Sequence, residues 1–103
     1  MPDPMKIRAT LMGDKVEVKV LMAHEMETGY RKDDAGKIVP AHFIDHVTAT
    51  CNGKTVLSAQ WGPAVAKNPF MAFRFSGAKK GDTVTVQWTD NMGATQTNDA
   101  VIA

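Results

Sequence analysis

The chain has 103 residues, 44% hydrophobic and 22% charged, with twelve Lys and Arg against eleven Asp and Glu for a formal net charge of +1. That length suits one domain, residues 1–103, around a single hydrophobic core, and the charge balance, with no basic block, weighs against nucleic acid as the main partner. No apolar run approaches the ~18 residues that cross a bilayer, and the single cysteine, Cys51, leaves no internal disulfide and no Cys-rich zinc site.

The opening MPDPMKIRAT has no apolar stretch of the kind a secretory signal carries, which by itself points to the cytoplasm. Strand patterns begin at once. In MKIRATL, Met5, Ile7, Ala9 and Leu11 share one face, giving a first strand at about 5–12, and Gly13-Asp14 supplies a turn. KVEVKV alternates Val16, Val18 and Val20 with charged residues, the period of a second strand with one buried face, at about 15–22. Residues 23–43 break the rhythm, showing neither strand nor helix periodicity. A loop this long inside a small domain is uncommon and tends to be functional or disordered.

FIDHVTATC and KTVLSAQW then flank Asn52-Gly53, the dipeptide that best accepts the positive φ angles of a tight hairpin, predicting strands at about 43–51 and 54–61. WGPAVAKNPF interrupts the pattern, since Pro63 and Pro69 forbid continuous sheet pairing. FMAFRF, DTVTVQW and the more polar ATQTNDAVIA complete the set at about 70–76, 83–89 and 94–102, the last as an edge. The expected fold is therefore all-β, a seven-stranded antiparallel sandwich of two sheets with an immunoglobulin-like character.

Chemistry is harder to find. His24, His42 and His46 with Glu25 and Glu27 include the atoms of a zinc site, yet positions 42 and 46 on one strand lie about 13 Å apart. His24 and His42 meet only if the loop closes on itself. Cys51 ends an apolar face with Val47 and Ala49 and reads as a small buried hydrophobe. Ser58 and Ser76 sit in strand patterns without a nucleophile elbow, so no catalytic constellation emerges. GYRKDDAGK lacks the spacing and following helix of a phosphate loop and reads as a solvated turn. Met22 and Met26 suit either a partner-packing surface or the filling of an open end of the sandwich.

LMAHEMETGYRKDDAGKIVPAHFI, WGPAVAKNPF and TVQWTDNMGATQT together resemble the SoxZ family, the small subunits of the SoxYZ carrier of thiosulfate oxidation, over nearly the whole chain. The most specific parts are the stretch His24 to Asp33 and the pair Asn68 to Phe70, while Glu25 departs from relatives that often carry a non-acidic residue there. The resemblance implies an immunoglobulin-like sandwich with no enzyme activity and no cofactor, partnered by a SoxY-like chain whose mobile C-terminal cysteine carries sulfur intermediates. It also implies a periplasmic location, reached by co-export with the signal-bearing partner, and passing contact with other enzymes of the pathway.

On that footing residues 23–43 are expected to form a recognition surface. Met26, Tyr30 and Phe43 would be its apolar contacts, with His24, Glu27, Arg31, Lys32 and His42 around them. The alternatives are a metal site using the loop of His24 and His42, a Glu27–Arg31 pair that merely holds the loop's shape, and a free-standing sandwich that self-associates through its polar final strand.

Overall fold

Short runs of Val, Thr, Ile and aromatic residues with a two-residue period, cut by Gly and Asn, favour antiparallel strands joined by tight turns. The structure, a computed structural model, describes residues 4–62 and 64–103, so that Pro63 and the first three residues lie outside the described part. It contains β1 (Lys6–Met12), β2 (Lys15–Leu21), β3 (Ile44–Cys51), β4 (Lys54–Gln60), β5 (Phe70–Ser76), β6 (Thr83–Asp90) and β7 (Thr95–Val101). All pairings are antiparallel, in two sheets of order β1-β2-β5 and β4-β3-β6-β7. This is the expected immunoglobulin-like sandwich, with each strand within one or two residues of its predicted bounds. At the hairpin between β3 and β4, Asn52 and Gly53 take φ values of 54° and 78°, as a tight turn of primed type demands.

The inward faces follow the alternation. Val16, Val18 and Val20 of β2 meet Val47 and Ala49 of β3 and Val84, Val86 and Trp88 of β6, all fully or almost fully buried. Each large side chain so placed contributes roughly 1.5–3 kcal/mol relative to exposure. Cys51 is buried at the end of the same face.

One feature of β3 departs from simple alternation. Ile44 pairs with Asp90 while His46 pairs with Thr89, so Asp45 is an extra residue, a β-bulge. The bulge resets the phase, turning Ile44 inward in place of Phe43, which is only half-buried. The carbonyl of Asp45 is not wasted, because it accepts the Trp61 N–H at 2.9 Å.

The two flanks of the sandwich differ. On one, Leu11 N–H donates to the Ala103 carbonyl and Ala103 N–H to that of Ala9, stitching the C-terminus along β1. On the other, β4 and β5 are the outermost strands of their sheets. Their inward residues Val56, Leu57, Met71, Phe73 and Phe75 pack on the core but stay half-buried.

Residues 23–43 are not an unstructured loop. Glu27 bridges His42 and Lys32 bridges Ile38, both antiparallel, and Glu27 and His42 exchange backbone hydrogen bonds of 2.6 and 2.9 Å. The segment is a two-stranded ribbon whose tip is shaped by Asp33, which accepts the N–H groups of Ala35 and Lys37 through Oδ1. Gly29, at φ +88°, lets the two sides approach, since a Cβ there would stand 3.1 Å from that of Ala41. The described chain measures 53 by 21 by 20 Å. Strands of seven or eight residues span only about 25 Å, so the ribbon and end loops supply the remainder.

Candidate functional site

The ribbon's base is tied to the end of β6, and the tie is built from the bottom of the sandwich upward. In β6 the inward set Val84, Val86 and Trp88 continues to Asp90. A carboxylate is thereby buried at the last position of the strand, 3% exposed, and a buried charge must find partners. It finds four. Oδ2 accepts the Nε2–H of His24 at 3.0 Å and of His42 at 2.8 Å, and Oδ1 accepts the backbone N–H groups of Met92 and Ala94 at 3.0 and 2.9 Å. Burial raises the proton affinity of Asp90, but the two histidines first, and then the two amides, outweigh it and hold the carboxyl below its ordinary value.

The loop thus does close on itself, bringing His24 and His42 to ring-centroid separation of 4.6 Å. Each enters from a different side of the ribbon. His24 is held by Asn68, whose Oδ1 accepts the His24 N–H at 3.1 Å while its own N–H donates to the His24 carbonyl. His42 is held by the return strand, where Asn91 accepts the Phe43 N–H and donates to the Ala41 carbonyl. Asn68 reaches φ +51° to do this and Met26 φ +53°, a left-handed conformation costly for a long side chain. Beneath the pair, the Trp88 indole stands edge-on to His24 at 5.0 Å.

His24, His42 and Asp90 carry lone-pair atoms within 4.8 Å of one another, close enough in spacing for a metal. The hydrogen bonds argue for another use. Nδ1 of His24 accepts the Met26 N–H at 3.1 Å, which fixes the proton on Nε2, the atom facing Asp90. Freeing Nε2 for a metal would move that proton to Nδ1 and set two N–H donors against each other. The cluster is organised to share protons with one carboxylate.

Other sequence candidates scatter. Met26 is 5% exposed, and its sulfur accepts the Ile44 N–H at 3.4 Å; with Met22 it fills the end of the sandwich and is not a surface contact. His24 is likewise interior and no part of a polar rim. Arg31 grips Glu27 through Nε and Nη2 at 2.8–3.2 Å, so the pairing within the loop is real. The Arg31 guanidinium is the main cause that lowers the Glu27 carboxyl below its ordinary value. Tyr30, Lys32 and Phe43 remain, Tyr30 at 86% exposure and Lys32 exposed, with Ile38 beside them at 61%. His46 lies on β3 away from the cluster. Cys51 has its thiol pushed up by burial and by the charge of Asp82, which disfavours the reactive thiolate.

Asp90, Asn91 and Asn68 are the residues the sequence reading missed. For Asp90 the signal was present, as the in-phase continuation of Val84, Val86 and Trp88. Asn91 looked like a turn residue and Asn68 stood out only as part of the stretch Asn68 to Phe70, and their bonds to distant backbone could not be read from neighbours in sequence.

The fold and site define a class, an immunoglobulin-like sandwich with a projecting ribbon clamped by a His–Asp–His cluster in which His24 and Asp90 are buried and His42 half-buried. Over residues 5–101 the chain matches the family described as sulphur oxidation protein SoxZ. It belongs to that family. No curated protein matches the chain at a significant level. Among solved structures it is similar to a superoxide reductase from Nanoarchaeum equitans, with TM-score 0.67 and 10% identity over 97% of this chain and 92% of that one. It is also similar to a superoxide reductase (neelaredoxin) from Archaeoglobus fulgidus, with TM-score 0.65 and 18% identity over 100% and 91%. A hypothetical protein from Pyrococcus horikoshii gives 0.64 and 19% over 99% and 89%. At such identities the likeness is one of fold alone.

Proposed function

We propose that this sulfur-oxidation protein is the non-catalytic companion of a SoxY-type carrier chain, acts with it in the periplasm, and offers the 27–42 ribbon as its recognition element. The observation that carries the reading, within the family, is the ribbon itself. It is pinned at its base by the hydrogen bonds of His24 and His42 to Asp90 and is exposed along its length, with Tyr30 and Ile38 bare at 86% and 61%. Isolated two-stranded ribbons are marginal in water, so holding one out with apolar side chains suits a surface awaiting a partner. Arg31 and Lys32 lie between these two residues in the bridged pair of strands and set orientation at the rim. The open β4–β5 flank, with half-buried Met71, Phe73 and Phe75, is a second apolar area that a partner chain could cover.

An enzyme reading has less support. Cys51 is buried with a raised thiol, and the two histidines spend their Nε2–H groups on Asp90. The test is the paired change Tyr30→Ser and Ile38→Ser, both on exposed positions. The variant is expected to fold as the parent does and to bind a SoxY-type chain or a pathway enzyme at least about tenfold more weakly, as for a central apolar anchor. Unchanged affinity for all of them would remove the ribbon from the interface.

A further inference from the structure

The smaller sheet turns to solvent a face whose charge the overall composition hides. Strand alternation sets Lys6 and Arg8 of β1, Lys15 and Lys19 of β2 and Arg74 of β5 outward together, with Glu17 the one carboxylate among them. Five cations to one carboxylate contrast with the formal net charge of +1 for the whole chain. Scattered in the sequence, these cations meet only because β1, β2 and β5 lie side by side. Glu17 is already spent. Its Oε2 accepts Nε–H and Nη2–H of Arg74 at 3.1 and 2.9 Å, and its Oε1 lies 3.6 Å from the Lys19 ammonium. Lys6, Arg8 and Lys15 have no ion-pair partner among the described residues. Arg8 stands directly across from Lys19 in the register of the two strands. Like charges so placed oppose folding, and an anion supplied from outside relieves them. Apolar groups share the face: Leu21 has Lys6 on one side and Phe70 on the other, and Leu21 and Phe70 are exposed at 42% and 62%. An apolar pair rimmed by cations has the make-up of a protein interface, an anchor with charges that set orientation.

We infer that the outer face of the β1-β2-β5 sheet docks an acidic surface of another protein, with carboxylates against Lys6, Arg8 and Lys19 and an apolar side chain against Leu21 and Phe70. A second copy of this chain offers little that matches, since the outward positions of β6 and β7 are mostly Thr, with Asp99 their one carboxylate. A phosphate backbone or an anionic bilayer would set uniform negative charge against Glu17 on the central strand. A protein surface can leave a gap there. None of these residues belongs to the ribbon, so the contact is additional to the one proposed for it.

The test is a titration of isotope-labelled full-length protein at low salt with the peptide acetyl-Asp-Glu-Phe-Asp-Glu-Leu-amide, followed by amide chemical shifts. Comparison ligands are the same peptide with Asn and Gln for Asp and Glu, an oligothymidylate of equal charge, and phosphatidylglycerol vesicles. The acidic peptide should shift the amides of Lys6, Arg8, Lys19, Leu21 and Phe70 saturably, less so as salt rises, and bind at least about tenfold tighter than the uncharged one. Arg8→Glu puts opposite charges across the two strands, so the free variant should melt no lower than the parent while binding the peptide about three- to tenfold more weakly. Leu21→Ser, on an exposed position, should weaken it about two- to fivefold. The ribbon variant with Tyr30→Ser and Ile38→Ser should bind it as the parent does. Equal binding of the uncharged peptide, unchanged affinity in both Arg8→Glu and Lys6→Glu, or shifts confined to the ribbon overturn the assignment. Tighter binding of the oligothymidylate or the vesicles on this face overturns it in favour of a nucleic acid or a membrane.

Discussion

Asp90 organises this molecule at the scale of single residues. Its carboxylate sits at the inward end of β6 and takes donors from both sides of the ribbon and from the following turn. Asp90→Asn keeps the shape but replaces one oxygen by an NH₂ that faces two imidazole N–H groups or two amides. The expected loss is about 3 kcal/mol, as for an unpaired buried polar group, measured by urea unfolding. The pH dependence follows from the direction of the shift. A carboxyl whose folded value is depressed below the ordinary 3.8 adds stability above that value and loses it as pH falls through the lower folded one. The parent should therefore lose stability below about pH 4 by a term absent from Asp90→Asn. Cys51 gives a second expectation at this scale: a thiol reagent should leave the native protein unmodified and titrate one thiol after denaturation. His24 and His42 stood out in the sequence as residue types. Their convergence did not, because it depends on Asp90, a position quiet in composition and visible only through the phase of Val84, Val86 and Trp88.

At the scale of elements, strands were legible where one face is buried and the other wet, because burial writes a two-residue period into the sequence. The ribbon has no such period: nearly all of residues 28–38 is exposed on both faces, so neither face selects apolar residues. Its regularity rests instead on backbone bonds and on Gly29. Gly29→Ala places a Cβ against Ala41 at a positive φ and should cost about 1–2 kcal/mol. The effect belongs to the ribbon, so faster amide exchange should be confined to residues such as Glu27, Val39 and His42, with β3 and β6 protected as before. The bulge at Asp45 likewise escaped the sequence pattern. A strict alternation from Phe43 already placed Val47, Ala49 and Cys51 inward, and nothing local showed that Ile44 joins them.

The whole molecule is asymmetric in what it leaves uncovered. One flank is stitched by Ala103 to β1, whereas the other ends in β4 and β5 with half-buried aromatic and aliphatic side chains. Met71, Phe73 and Phe75 share one side of their strand in the sequence, but their incomplete cover follows from strand order, which the pattern of one strand does not encode. Together with the projecting ribbon, that flank supports an account of a subunit made to be completed by another chain. The most direct measurement is co-expression with a SoxY-type chain followed by size-exclusion chromatography with multi-angle light scattering. The account predicts a stable one-to-one complex that persists on dilution. Separate elution of the two chains, each at its own mass, would contradict it.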